Sequence, residues 1–352
     1  MRTLLGEDAR LDREKNWSAL ADIFRPVRTD LAAVEEHLAT TLRATSDRAV
    51  REIVDFLLEC PGKRIRPALV LLSARAVQGT GNGSCALARA SIEVAAAVEL
   101  IHMASLVHDD LIDDATVRHH RASIQVKWGK GVAVSLGDHL GAKAFQLLAD
   151  CADPRLFAIV GSQLAAMCEG ELQQVARRSD FGLCERHCLA VIEKKTASLF
   201  GASCRAGAVT AGGEPQVCQA LQEFGFRIGI AFQILDDCKD LLSDQAKLGK
   251  SPGQDWQAGD VTLPLLYAMW HCGRTGDGLP PQGRRAMVGR ALARVGEAFY
   301  SSRAHERIAE LIASDVGRAR QALESITDSD FKVSLHRLAE YIAASTSRVL
   351  SR

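Results

Sequence analysis

Aromatic side chains are scarce in this chain, 5% of 352 residues, and alternating Val, Ile and Thr runs bounded by turn pairs are hard to find. Strands are therefore poorly supported, and a sheet-built fold is not expected. Charge of one sign is not in excess either: 43 basic and 43 acidic residues cancel, which excludes the global positive field of a nucleic-acid binder. The ten cysteines contain no C-x-x-C pair, and Cys184 and Cys188, four apart, are followed by no second pair at zinc spacing. They read as reduced, mostly buried thiols of a soluble cytoplasmic protein. The opening stretch "MRTLLGEDARLDREKNW" breaks any apolar run with charge, and no segment has the uncharged apolar length of a membrane span. Neither a signal peptide nor a transmembrane segment is expected.

Apolar residues make up 47% of the chain, enough to bury one large core, and a single all-helical domain over 1–352 is expected, with 1–20 a loosely ordered arm. Turn signals such as "CPGKRIRP", "GTGNGS", "AGGEP" and "LGKSPGQD" separate periodic segments of helical length. From Cys85 to Lys127 there is neither Gly nor Pro, and "ASIEVAAAVELIHMASLVHDD" is apolar on nearly every side, which marks a central helix. That helix delivers Asp109, Asp110, Asp113 and Asp114 near its C-terminus, where the macrodipole already leaves negative charge. Carboxylates there call for a cation.

The pattern recurs. After "FGFRIGIAFQIL" come Asp236, Asp237 and Asp240, again D-D-x-x-D. On a helix the first and last of these stack one turn apart, roughly 5–6 Å. One such cluster reads as a solvated helix cap. Two copies, each ending an apolar helix and facing each other, read as an all-oxygen cage for hard divalent cations, Mg²⁺ first, since it combines a few carboxylates with substrate phosphates. Lys63, Arg64 and Arg66 in "GKRIRP", then Arg118, Lys194, Lys195 and Lys250, recur near the acidic elements. Such a combination suits a polyphosphate held partly by metal and partly by Lys and Arg.

Taken in order, "GKRIRP", "HDDLIDD", "EKKTASLF", "GIAFQILDD" and "LGKSPGQDWQAGDVTLP" resemble the trans-isoprenyl (polyprenyl, head-to-tail) diphosphate synthase family, over roughly residues 55 to 270. The resemblance implies an all-α isoprenoid synthase-type bundle with a central substrate cavity, usually a homodimer, and Mg²⁺ as three ions with bound diphosphate. It assigns Asp109, Asp110 and Asp113, opposite Asp236, Asp237 and Asp240, to the metals on an allylic diphosphate, with Arg118, Lys195 and Lys250 gripping the same group. Lys63, Arg66 and His102 would bind isopentenyl diphosphate, and the dipoles of Thr196 and Gln233 would steady an allylic cation. The long-chain type is implied by small side chains before the first acidic motif: Ile101, Ala104 and Ser105 would line the path of the growing tail, so the product is expected to exceed geranylgeranyl diphosphate. Transient membrane contact for product release is compatible with this.

Two departures stand out. His119 replaces the arginine that usually follows Arg118 and touches isopentenyl diphosphate, with Arg121 as a candidate substitute, and Asp260 stands where a lysine is often found. Three rivals are kept. A terpene cyclase or head-to-head synthase would use similar metals without needing Lys63, Arg66 and His102. A phosphohydrolase would use the His108–Asp109 pair, and a non-catalytic regulatory subunit would be expected to have lost an acidic motif.

Overall fold

The computed structural model describes residues 18–59, 62–79, 85–118, 121–180, 182–242, 253–275 and 288–351. His119 and Lys250 thus lie outside the described residues, as does most of the expected N-terminal arm.

Helix capping chemistry sets several boundaries. After a helical segment over 18–23 and a 3-10 turn, Arg25–Val27, come α1 (Arg28–Arg43) and α2 (Arg48–Leu58), the latter begun by Asp47, whose carboxylate accepts from the Ala49 and Val50 N–H groups at 2.8 and 3.1 Å. Helix α3 (Ile65–Gln78) leads to α4 (Cys85–Ile112), the 28-residue helix that the Gly- and Pro-free stretch predicts. A two-residue antiparallel pair, β1 (Val117–Arg118) and β2 (Arg121–Ala122), is the only sheet among the described residues. Next are α5 (Ile124–Trp128), α6 (Lys130–Asp150) and α7 (Pro154–Val175); Asp153 caps α7 through the Arg155 N–H at 2.9 Å, with Pro154 at the first helical position. Helix α8 (Glu185–Ile192) runs through a π-helical turn, Glu193–Ala197, into α9 (Ser198–Thr210). Helices α10 (Pro215–Leu242), α11 (Gln254–Ala258), α12 (Leu263–Thr275), α13 (Val288–Ser301), α14 (Ala304–Ala322) and α15 (Asp330–Leu350) complete the order.

The expected all-α architecture is therefore what the chain adopts. Helix α4 lies at its centre: Val94 to Val98, Leu100 and Ile101 are essentially inaccessible, because α1, α3, α6 and α9 all pack on it. One sequence expectation is corrected here. Arg89–Ile112 is long and apolar enough to cross a membrane, contrary to the reading that no segment is. Its apolar surface is spent on the fold itself, 72% of its most apolar 18-residue stretch being buried inside the protein. Helix α9, buried over nearly its whole length, packs between α3 and α10 and carries α10 alongside the core. The two helices bearing the acidic motifs thereby open on one cavity.

Candidate active site

That cavity, about 400 Å³, is lined from one side by His102, Ser105, Leu106, Asp109 and Asp113 and from the other by Phe232, Gln233, Asp236 and Asp237. Helical spacing explains the first set: 102, 105, 106 and 109 fall on one stripe of α4, and 113 continues it. Asp110, one residue off the stripe, turns sideways instead. Its carboxylate accepts from Arg118 Nε at 2.9 and 3.0 Å, a pairing made by the β1–β2 hairpin folding Arg118 back on the helix end. Gln125 Nε2 donates to the Asp110 and Ala115 carbonyls at 2.8 and 2.9 Å, tying the helix end to the segment that follows it.

Burial pushes the Asp109 carboxyl up to about 6, against the pull of the Lys195 ammonium. Asp113 is also raised, again first by burial, although Arg178 donates to it and works the other way. Both acids sit where an anion is disfavoured unless a cation arrives.

On the facing wall, Thr196 Oγ1 donates to Gln233 Oε1 at 2.7 Å, and Gln233 Nε2 donates to Asp237 Oδ1 at 2.7 Å. The relay locks the amide of Gln233 in one orientation. Thr196 and Lys195 ride on the π-turn, whose extra residue re-aims them at the cavity. Close approach makes this possible: a Cβ on Gly229 of α10 would meet Ala197 Cα at 2.6 Å. Lys195 Nζ contacts Glu171 and donates to Gln174 Oε1 at 2.8 Å. Burial opposes its charge, yet Asp109 and Glu171 outweigh burial and hold its pKa above the usual lysine value. Asp240, expected among the metal-facing acids, is not at the cavity wall. It is buried, its Oδ2 accepting from the Asp255 N–H at 3.2 Å and its backbone carbonyl from the Gly253 N–H at 3.1 Å, so it braces the start of α11.

The basic end of the cavity is built by the segment before α3. Arg64 adopts a left-handed backbone, φ 52°, and its guanidinium is held by Glu35 and, at 2.6 Å, by Glu99. Neighbours Lys63 and Arg66 then line the cavity. Arg66 is half-buried over the Phe200 ring, 4.8 Å from its centroid, and the burial lowers its pKa to about 10. Its Nε finds no hydrogen-bond partner among the described residues. A guanidinium at a cavity wall with a buried, unused donor is a ready anion slot.

Several readings separate here. Ser105 is at the wall, its hydroxyl donating to the His102 carbonyl at 2.9 Å, whereas Ile101 and Ala104 are buried in the core and do not line the cavity. Arg121 pairs with Glu59 at 2.5 Å and stacks on Phe56, and it borders not the cavity but a smaller recess of about 90 Å³ that shares His102 and Leu106 with it. His108 faces Asp138 and the Val134 carbonyl rather than the cavity, so no His–Asp pair of phosphohydrolase type is assembled with Asp109. The residues that the sequence did not reveal are Glu99, Glu171, Gln174 and Arg178, each of which acts through a partner distant in the chain.

An all-carboxylate donor set with depressed acidity suits a hard divalent cation. Among the described residues no three His, Cys, Asp or Glu side chains converge closely enough to hold an ion by themselves. Any ion would have to share its coordination with substrate oxygens and water.

A family model described as "Polyprenyl synthetase" matches residues 47–277. The chain is 41% identical over 240 residues, 68% of its own length and 72% of the other's, to "Heptaprenyl diphosphate synthase component 2" of Geobacillus stearothermophilus. It is 31% identical over 326 residues, 91% and 96% of the two lengths, to "Octaprenyl diphosphate synthase" of Escherichia coli. Among solved structures, a polyprenyl synthase of Caulobacter crescentus complexed with calcium and isoprenyl diphosphate superposes with a TM-score of 0.83 at 29% identity, covering 93% of this chain and 97% of that one.

Proposed function

This chain belongs to the polyprenyl synthetase family and is a prenyltransferase, and from that premise we propose that it joins an allylic diphosphate to isopentenyl diphosphate, head to tail, with Mg²⁺, to give a polyprenyl diphosphate longer than geranylgeranyl. The observation carrying this reading is that the carboxylate walls of α4 and α10 share one cavity with a cationic end at Lys63 and Arg66. Two unlike anion sites in one pocket fit two diphosphate substrates.

Asp109, Asp113, Asp236 and Asp237 would hold the divalent ions, three with diphosphate bound, and Asp110 and Asp240 would support them from behind. When bound, such ions neutralise the charge that develops on a departing diphosphate. Lys195 and Arg118 add donors to the same leaving group as its carbon–oxygen bond breaks, Lys250 being assigned there by resemblance alone. The fixed Gln233 amide and the Thr196 hydroxyl turn their dipoles to the allylic cation, while Leu106, Met167, Ile192 and Phe232 keep water from it. Arg66, Lys63 and His102 orient isopentenyl diphosphate so that its double bond forms the new carbon–carbon bond; a proton then leaves to the released diphosphate.

The heptaprenyl and octaprenyl names of the relatives support a long product, and the same reading makes the protein a cytoplasmic homodimer. The "component 2" relative supports a second reading, in which a different subunit is required. Purified protein given labelled isopentenyl diphosphate, Mg²⁺ and geranyl, farnesyl or geranylgeranyl diphosphate should yield chains beyond C20. Turnover of the allylic substrate alone would favour a cyclase, and no turnover at all would favour the two-subunit reading.

A further inference from the structure

Arg178 lies three residues beyond the end of α7 and joins two segments that border the cavity. Its Nε and Nη2 donate to both oxygens of Asp260, at 2.9 and 3.3 Å, and Nη2 also donates to Asp113. Nη1 reaches the Ile112 carbonyl at 3.4 Å, at the negative end of α4. The next residue continues the join through its backbone, Ser179 N–H to the Gly259 carbonyl at 2.8 Å. Asp113, Asp260 and the adjacent Arg177 all line the cavity. The acid at 260, a departure noted in the sequence, is therefore neutralised by a cation from the segment that follows α7.

Resting on the functional reading above, we propose that Arg178 is a further diphosphate-binding residue, which exchanges Asp113 for a substrate oxygen when a diphosphate enters with its divalent cations. A guanidinium and a divalent cation compete for the Asp113 carboxylate, because each uses the same oxygen lone pairs. Asp260 is nearly inaccessible and holds the guanidinium by two parallel bonds, so Arg178 stays behind the cavity-lining Asp260, next to the cavity, when Asp113 lets go. The released Nη2 then faces the wall on which the diphosphate sits. Tying and binding are thus alternative uses of one side chain.

Calorimetric titration of the full chain with Mg²⁺ alone, and with Mg²⁺ plus inorganic diphosphate, tests this without turnover. Arg178→Gln is expected to bind Mg²⁺ alone at least as tightly as the parent protein and Mg²⁺–diphosphate roughly tenfold more weakly, the loss of one charge-assisted contact. Arg178→Lys keeps the charge and should recover part of that loss, and Asp260→Asn, which frees the anchor, should weaken Mg²⁺–diphosphate as well. Unchanged diphosphate binding in Arg178→Gln overturns the proposal. So does an equal weakening of both titrations, which would make Arg178 a structural tie only, or a lysine variant that melts like the parent and recovers nothing. A parent protein that binds no Mg²⁺–diphosphate would instead sink the functional reading itself.

Discussion

Asp109 must be an anion in a place that disfavours one. A carboxyl whose pKa is raised from 3.8 to about 6 by burial binds its proton more tightly when folded, so stability falls as pH rises through that window and the whole penalty is present at pH 7. Asp109→Asn, measured by thermal melting at pH 7 in a chelator, should therefore be more stable than the parent, by about 1–2 kcal/mol after allowing for partial exposure, while its condensation rate falls by orders of magnitude. Equal melting temperatures would mean that burial does not strain this acid. Arg66 is the opposite case, a half-buried cation whose Nε has no hydrogen-bond partner among the described residues. Arg66→Gln should raise KM for isopentenyl diphosphate about 10- to 100-fold, the worth of a lost charged hydrogen bond, and leave KM for the allylic substrate nearly unchanged; equal rises in both would argue that the residue holds the fold instead. Ser105→Phe should shorten the product by blocking the wall one turn before Asp109, and chromatography of the prenyl alcohols would read it out. Ala104→Phe, at a buried position off the wall, should act through instability more than through product length.

At the scale of elements, the site depends on two unusual pieces of backbone. The π-turn at Glu193–Ala197 points Lys195 and Thr196 inward only because α10 comes close at Gly229. Gly229→Ala would have to push α10 away, at a cost of about 1–3 kcal/mol, and should lower kcat by more than the melting temperature alone explains, since the Thr196–Gln233–Asp237 relay spans that contact. A fully active variant would show that the relay tolerates displacement. The left-handed Arg64 is the second piece. Its ion pairs with Glu35 and Glu99 hold a backbone that an unsupported arginine would seldom adopt, and they deliver Lys63 and Arg66 to the cavity. In the sequence Arg64 is one more charge in "GKRIRP"; its direction was not legible, because Glu35 and Glu99 stand 29 and 35 residues away.

For the whole molecule, the lack of any three converging ligands among the described residues has a thermodynamic signature. Mg²⁺ or inorganic diphosphate alone should scarcely shift the melting temperature, whereas the two together should stabilise by about 2.7 kcal/mol at a hundredfold excess over Kd. A large shift with Mg²⁺ alone would point to a cage that the protein completes by itself. Long-range packing makes the site cooperative in another sense: α9 carries no part of either acidic motif, yet it sits between α3 and α10 and so sets the distance between the basic and acidic walls.

The sequence by itself determined the helices, the two D-D-x-x-D motifs, the basic segment before α3 and the family, because helical periodicity and i, i+4 spacing are local and need no partner. Only the tertiary structure decided which acid of each motif faces the cavity. Asp109 and Asp113 do and Asp110 does not, because Arg118 claims it; Asp236 and Asp237 do and Asp240 does not, because it braces α11. The join from Asp113 through Arg178 to Asp260 was likewise out of reach, spanning 65 and 82 residues. Orientation and pairing are settled by which groups the packed helices bring within about 3 Å of one another, and spacing along a chain carries no record of that.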